Sequence, residues 1–232
     1  MSDARQRWRL TFRRGEEALY LSHLDIAKLW ERAFRRAGVP VAVSGGFNPH
    51  PRLIFAAPLP LGMLAEGEIA DLYVSERMTL PELRERLQRD LPNGFTLVDL
   101  HDVWLNEAAV AARLAAADYR VELEGAPAEA LARACEELVA SPTLERERRR
   151  EKKVTRYDLR PLVLELAVAG PSRLRMRLRH AQEGGSGRPE EVVAALGEIA
   201  GVELVIASIV RERLILADDL HGFEAEAAQP GL

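Results

Sequence analysis

Cysteine is almost missing from this chain: Cys135 stands alone among 232 residues. That excludes a disulfide framework within the chain and a self-contained iron–sulfur cluster, which takes about four thiolates. A reducing cytoplasm is the expected setting. Aromatic residues are scarce as well, at 6%, which argues against a sheet that reads single-stranded RNA base by base. No apolar run approaches the roughly 18–20 residues of a membrane helix, and the opening MSDARQRWRLTFRRGEE is charged throughout, so the sequence reads as a soluble, unexported protein. An excess of positive charge is also lacking. With a net charge of -4, contact with nucleic acid has to come from a local basic patch.

Regular patterning is plentiful. RWRLTFRR alternates Trp8, Leu10 and Phe12 with Arg7, Arg9, Thr11 and Arg13, as a strand does, and the strand is expected to resume through ALYLS. SHLDIAKLWERAFRRAG spaces Ile26, Leu29, Trp30, Ala33 and Ala37 helically; Ser22 and Asp25 form a capping box with Asp in the acidic position, and Gly38 ends the pattern. VPVAVS reads as a strand, residues 53–74 as an extended return broken by PLPLG, TLPELRERLQRDLP as a capped helix and GFTLVDLHDVWL as a strand. Beyond an Ala-rich connector the order repeats: YRVELEG, a helix over PAEALARACEELVAS, a hairpin of PLVLELAV and RLRMRLR, a helix opening on Pro189 and closing at Gly201, and a last strand, VELVIASIVRERLIL. The expected fold class is α+β. It comprises two tandem ferredoxin-like βαββαβ units with antiparallel sheets and helices on one face: residues 1–105, a connector over 106–117, residues 118–217, and an unpatterned tail over 218–232.

SGGFNPHPRL crowds two glycines, two prolines and a histidine into ten positions. Pro49 and Pro51 hold Asn48 and His50 extended, while Gly45 and Gly46 allow positive φ or close backbone approach. If VPVAVS is the second strand, this loop leaves the sheet at the edge where the SHLD helix begins, which makes His23 and His50 neighbours. The free N–H groups after Ser22, together with Gly45, Gly46, Phe47 and Asn48, form a candidate ligand loop for a phosphate or carboxylate. His23, Asp25 and His50 are the candidate catalytic residues. Two histidines and one carboxylate are too few to define a metal site. Turn chemistry alone also accounts for the glycines and prolines.

YLSHLD, ERAFRRAGVPVAVSGGFNPHPRLIFAAPLPLG and Glu68 resemble the radical-SAM-linked protein family, a bacterial domain of unknown function found beside, or fused to, a radical SAM protein. The resemblance covers the first half well; in the second only KKVTRYDLRPLV is similar. Gly45 departs from the pattern, which has Gln there. The resemblance implies a partnership: a radical SAM protein encoded nearby would carry the [4Fe-4S] cluster and S-adenosylmethionine, with no cofactor bound by this chain.

The local basic patch is present. RLRMRLRH places Arg173, Arg175, Arg177 and Arg179 on one strand face; Arg149 and Lys152 lie in ERERRREKK; Arg35 and Arg36 lie on the first helix beside Lys28 and Arg32; and Arg7, Arg9 and Arg13 form a parallel row. These residues lead to the expectation of an accessory RNA-binding module that works with a radical SAM enzyme in tRNA or rRNA modification or maturation. Two alternatives use the same features: an enzyme acting on RNA or a nucleotide through His23 and His50, and a protein-docking scaffold using the arginine faces.

Overall fold

The alternation in RWRLTFRR becomes strand β1 (Gln6–Arg14), which sets the layout of the first half of the chain. The computed structural model describes residues 4–45, 49–125, 128–150, 153–180 and 185–220, with side chains left aside at 149, 150 and 153. The protein is a mixed α+β fold with mostly antiparallel sheet, divided into two compact units at Leu114/Ala115.

In the first unit β1 is followed by α1 (His23–Arg36), β2 (Leu53–Phe55), β3 (Met63–Val74), α2 (Leu80–Asp90), β4 (Phe95–Val103) and a single turn, α3 (Val110–Arg113). The strand order is β4-β1-β3 with β2 on the far edge of β3, and each of these pairings is antiparallel. Trp8, Leu10 and Phe12 share a core with Ile26, Trp30 and Phe34 of α1 and Leu83 and Leu87 of α2, so both helices cover one face. The rings of Phe12 and Trp30 lie 5.0 Å apart, and Trp30 meets Phe95 edge-on at 5.7 Å. Such pairs add about 0.5–1.5 kcal/mol beyond the apolar area they bury.

Two expectations fail here. GEEALYLS does not resume the strand: Glu16–Ala18 is a 3-10 turn, and buried Arg14 donates to the carbonyls of Ala18, Leu19 and Leu21 at 2.9, 2.7 and 3.1 Å. Gly94 leans on this turn with φ +80; a Cβ there would sit 2.9 Å from Ala18 N, so only glycine fits. VPVAVS is not a regular strand either. Val39 and Ala42 are buried, Val41 is half-buried and Val43 is exposed, and Val41 and Val43 make only isolated bridges, to Val74 and Pro51. Pro40 has no N–H to give, and the chain turns away at Ser44, so the edge strand forms after the loop, at Leu53–Phe55.

The second unit contains β5 (Leu114–Glu124), α4 (Ala128–Ala140), β6 (Glu145–Arg150), β7 (Lys153–Asp158), β8 (Val163–Gly170), β9 (Arg173–Arg179), α5 (Pro189–Ala200) and β10 (Val205–Leu216). The order in its sheet is β10-β5-β9-β8, while β6 and β7 form a separate two-stranded ribbon that sequence patterning did not anticipate. The connector expected over 106–117 ends early, because β5 already begins at Leu114. Leu131, Ala134 and Leu138 of α4 are buried as their spacing requires, and burial pushes the Cys135 thiol up to about 11, leaving it protonated and unreactive. Among the described residues no helix is long and apolar enough to cross a membrane. Of the expected tail, residues 221–232 lie outside the described residues.

Candidate nucleic-acid interface

The helix start forms as its sequence dictates. Asp25 N–H donates to Ser22 Oγ at 3.2 Å, while Asp25 Oδ2 accepts from Ser22 Oγ at 2.6 Å and from Ser22 N–H at 3.3 Å. The Ser22 hydroxyl accordingly holds the Asp25 carboxyl below its usual range. Asp25 is thereby committed to the cap. The His23 ring meets Phe55 of β2 edge-on, 5.2 Å between centroids.

At the neck of the Gly- and Pro-rich loop, Ser44 N–H donates to the His50 carbonyl at 2.8 Å and His50 N–H to Ser44 Oγ at 3.0 Å. Gly45 has no positive φ and, among the described residues, no neighbour that a Cβ would meet. Gly46, Phe47 and Asn48 lie outside the described residues. The expected meeting of His23 and His50 does not follow from the observed topology. Both β1 and β2 are antiparallel to β3 and so run the same way, which puts the Phe55 end of β2 beside the start of α1 and the loop at its other end. His50 precedes Phe55 by about 16 Å of extended chain. Among the described residues no three His, Cys, Asp or Glu side chains converge as a metal site would require.

The arginine rows are largely consumed by acids. Arg7 and Arg9 are buried, not solvated. Arg9 makes a two-pronged contact with Asp71 (Nε–Oδ1 2.9 Å, Nη2–Oδ2 3.3 Å), and Arg7 pairs with the same carboxylate and donates to the carbonyls of Glu107 and Ala108 at 2.6 and 2.9 Å. Val110 N–H donates to Asp71 Oδ2 at 3.2 Å, and Arg9 also reaches Glu107 at 3.2 Å. This cluster clamps residues 104–113 onto the sheet of the first unit. On β9, Arg173 pairs with Glu122 at 2.5 Å, Arg175 with Glu212 at 3.2 Å, and Arg177 with Asp118 at 2.7 Å and Glu165 at 2.6 Å. Arg179 leans on the Pro161 carbonyl at 3.4 Å. The expected phosphate stripe on β9 is therefore mostly neutralised, and Arg177 is buried within it.

The ribbon follows suit. Arg148 makes two contacts with Glu191, at 3.0 and 2.8 Å, and stacks on Tyr157 at 4.8 Å. Burial raises Glu191, but hydrogen bonds from Arg148 and Tyr157 outweigh it and hold the carboxyl below its ordinary value. Lys152 and the Arg149 side chain lie outside the described residues.

The outward face of α1 differs. Lys28, Arg32 and Arg35 recur at helical spacing opposite the buried Ile26, Trp30 and Phe34, and all three are exposed. Among the described residues Lys28 and Arg32 make no ion pair, and Arg35 has only a 3.5 Å approach to Glu31. Arg36, next along, is tied to the Asp90 carbonyl at 3.0 Å. At the C-terminal end of β4 a groove of about 580 Å³ is lined by Arg5, Gln6, Arg77, Asp102, Trp104 and Leu105 among others. A second hollow of about 630 Å³, lined by Arg5, Ser75, Glu76 and Arg77, shares its two arginines. Trp104, which in sequence continues a strand pattern, is 85% exposed.

Comparison with known proteins adds a family and little else. The family model described as "Uncharacterized protein conserved in bacteria (DUF2344)" matches residues 7–189. No curated protein matches the chain in sequence. A chain of the solved structure "Crystal Structure of a Cbf5-Nop10-Gar1 Complex" aligns over 94% of this protein and 57% of its own length, little more than half, at 10% identity and a TM-score of 0.44. The "Crystal Structure of an Unknown Protein from Galdieria sulphuraria" aligns over 87% and 98% at 14% identity and a TM-score of 0.24. Neither score is high enough to carry an argument about this chain.

Proposed function

Because the chain belongs to the bacterial family DUF2344, whose description assigns no activity, we propose from its own side chains that it is a non-catalytic RNA-binding module working beside a radical SAM enzyme in tRNA or rRNA modification or maturation. The observation that carries the RNA part is the row Lys28, Arg32 and Arg35 on α1: three exposed cations whose acidic neighbours are Asp25, whose charge is felt by Lys28, and Glu31, 3.5 Å from Arg35. Phosphates compete for cations that are not already paired, and each contact made releases counterions. The radical SAM partnership rests on the resemblance of YLSHLD and GFNPHP to the radical-SAM-linked family. We also read each unit as ferredoxin-like; the orders β4-β1-β3-β2 and β10-β5-β9-β8 support this reading, with the β6–β7 ribbon as an insertion.

The catalytic alternative draws little support, since Asp25 is held by its cap and His23 faces Phe55. A second reading, protein docking, is favoured by one observation. The Gly62 N–H to Leu19 carbonyl bond, 3.0 Å, joins two segments that expose Tyr20, Leu24 and Leu61, an apolar surface of the kind a partner protein covers. RNA anisotropy across a salt series tests the primary reading. Affinity should fall linearly on a log–log plot with a slope of at least about -2, in proportion to the phosphates contacted. Absence of RNA binding at low salt, with capture of the radical SAM protein unaffected by nuclease, would replace it with the docking reading.

A further inference from the structure

Trp104 is the one tryptophan left in water: Trp8 and Trp30 are 3% and 1% exposed, Trp104 85%. The turn that carries this ring is held tightly. Glu107 N–H donates to the Trp104 carbonyl at 3.1 Å, and buried Arg7 grips the next carbonyls, of Glu107 and Ala108. The buried Arg7–Asp71 pair, which stabilises little on its own account, thus fixes the backbone beneath an exposed aromatic face. That is preorganisation of the kind that lowers the entropy lost on binding.

The surroundings of the ring are also built. Gln6 Oε1 accepts from Met78 N–H at 2.9 Å, which fixes the amide so that its Nε2 donates to Asp102 Oδ2, again at 2.9 Å. Asp102 is held by one oxygen and retains acceptor capacity toward the groove it lines. Arg5 and Arg77 flank the same groove, both exposed, and neither makes an ion pair among the described residues. The volume, about 580 Å³, suits a nucleotide.

Resting on the RNA reading above, we propose that this groove is a subsite for one unstacked base of single-stranded RNA, with Trp104 stacking on the base, Arg5 and Arg77 taking the flanking phosphates, and Asp102 accepting from the base edge. Stacking tolerates any base. The carboxylate adds preference: guanine, with N1–H and N2–H₂ on one edge, gives Asp102 two donors, whereas uracil gives one N–H. A protein ligand fits less well, because the site pairs an open aromatic face with two exposed cations spaced around it, an arrangement matched to a base between phosphates.

The probe is a single-stranded RNA of about ten nucleotides, guanosine-containing in one series and oligouridylate in the other, read simultaneously by anisotropy and by tryptophan fluorescence. Since two of the three tryptophans are buried, quenching reports on Trp104. Wild type should quench on binding, more tightly with the guanosine RNA. Trp104→Ala should weaken binding about tenfold and abolish the quench, Trp104→Phe should restore most of the affinity, and Arg5→Gln with Arg77→Gln should reduce the salt slope by about 2. These positions are exposed, so the variants fold. RNA binding by anisotropy without quenching, and unchanged in Trp104→Ala, overturns the subsite while leaving the α1 reading in place. No RNA binding at all overturns both. Loss of radical SAM protein capture in Trp104→Ala, with RNA binding intact, makes the groove a protein site and overturns the proposal as well.

Discussion

Two strand pairs in this protein, one per unit, carry the same ion pair with the partners exchanged. In the first unit Arg9 of β1 stands opposite Asp71 of β3; in the second Asp118 of β5 stands opposite Arg177 of β9. Each arginine sits beside an apolar alternation that supplies the core. What differs is the cover. Residues 104–113 close over the first pair, and the Arg7 and Asp71 side chains lose all contact with water. The second pair shares its charges with Glu165 and Arg213, whose side chains stay 60% and 53% exposed. A row of alternating arginines therefore specifies a strand face, and the acids across the sheet decide whether those arginines remain available to a ligand.

The comparison is easiest to break at its acids. Asp71→Ala leaves buried Arg7 with backbone carbonyls alone and Arg9 with Glu107 alone, and should cost about 3–5 kcal/mol, read as a large drop in the urea midpoint. Asp118→Ala leaves Arg177 with Glu165 and partial solvent, and should cost about 1–2 kcal/mol. Equal losses at the two sites would dissolve the distinction between a buried clamp and a shared surface pair. Glu107→Ala removes the carboxylate that links Arg9 to Arg113. It should cost about 1 kcal/mol and speed amide exchange at residues 104–110 first.

A smaller effect is expected from pH. Burial, and next to it the charge of Arg211, hold the His180 imidazole below its usual value, so the folded protein favours its neutral form. The unfolded chain takes up a proton as pH falls through about 6.5 while the folded chain does not. The contribution is intact above that pH and is lost from there down to the lowered folded value. Urea midpoints at about pH 7.5 and about pH 5.5 should differ more in wild type than in His180→Gln. The smallest change is predicted for Arg173→Ala, an exposed pair with Glu122 worth about 0.2–1 kcal/mol.

Much of the local structure is legible in sequence because its causes are local. Ser22, Thr79, Pro189 and Gly201 mark helix ends where caps and breakers act within three or four residues, and the structure places them at or beside those ends. The alternation of β9 is likewise visible. What decides the site is non-local: Asp71 meets Arg9 across a sequence separation of 62, and nothing near Arg9 announces that acid. The expected meeting of His23 and His50 turns on a similarly non-local choice. VPVAVS has strand composition, but whether it or LIF pairs with β3 depends on Pro40 and on the turn at Ser44, and the choice moves the Gly- and Pro-rich loop from one end of β2 to the other. The exposure of Trp104 is not legible in the sequence, because it is created by the 104–107 turn, which in turn depends on Arg7.

The central claim is that the exposed cations Lys28, Arg32 and Arg35 of α1, and not the arginine row of β9, contact RNA. Its most direct measurement is the salt slope of RNA affinity for two triple variants side by side: Lys28→Gln, Arg32→Gln, Arg35→Gln on α1, and Arg173→Gln, Arg175→Gln, Arg179→Gln on β9. The α1 triple should flatten the slope by about 2–3 and weaken binding at low salt, with the β9 triple close to wild type. A β9 triple that loses affinity while the α1 triple binds normally would contradict the account.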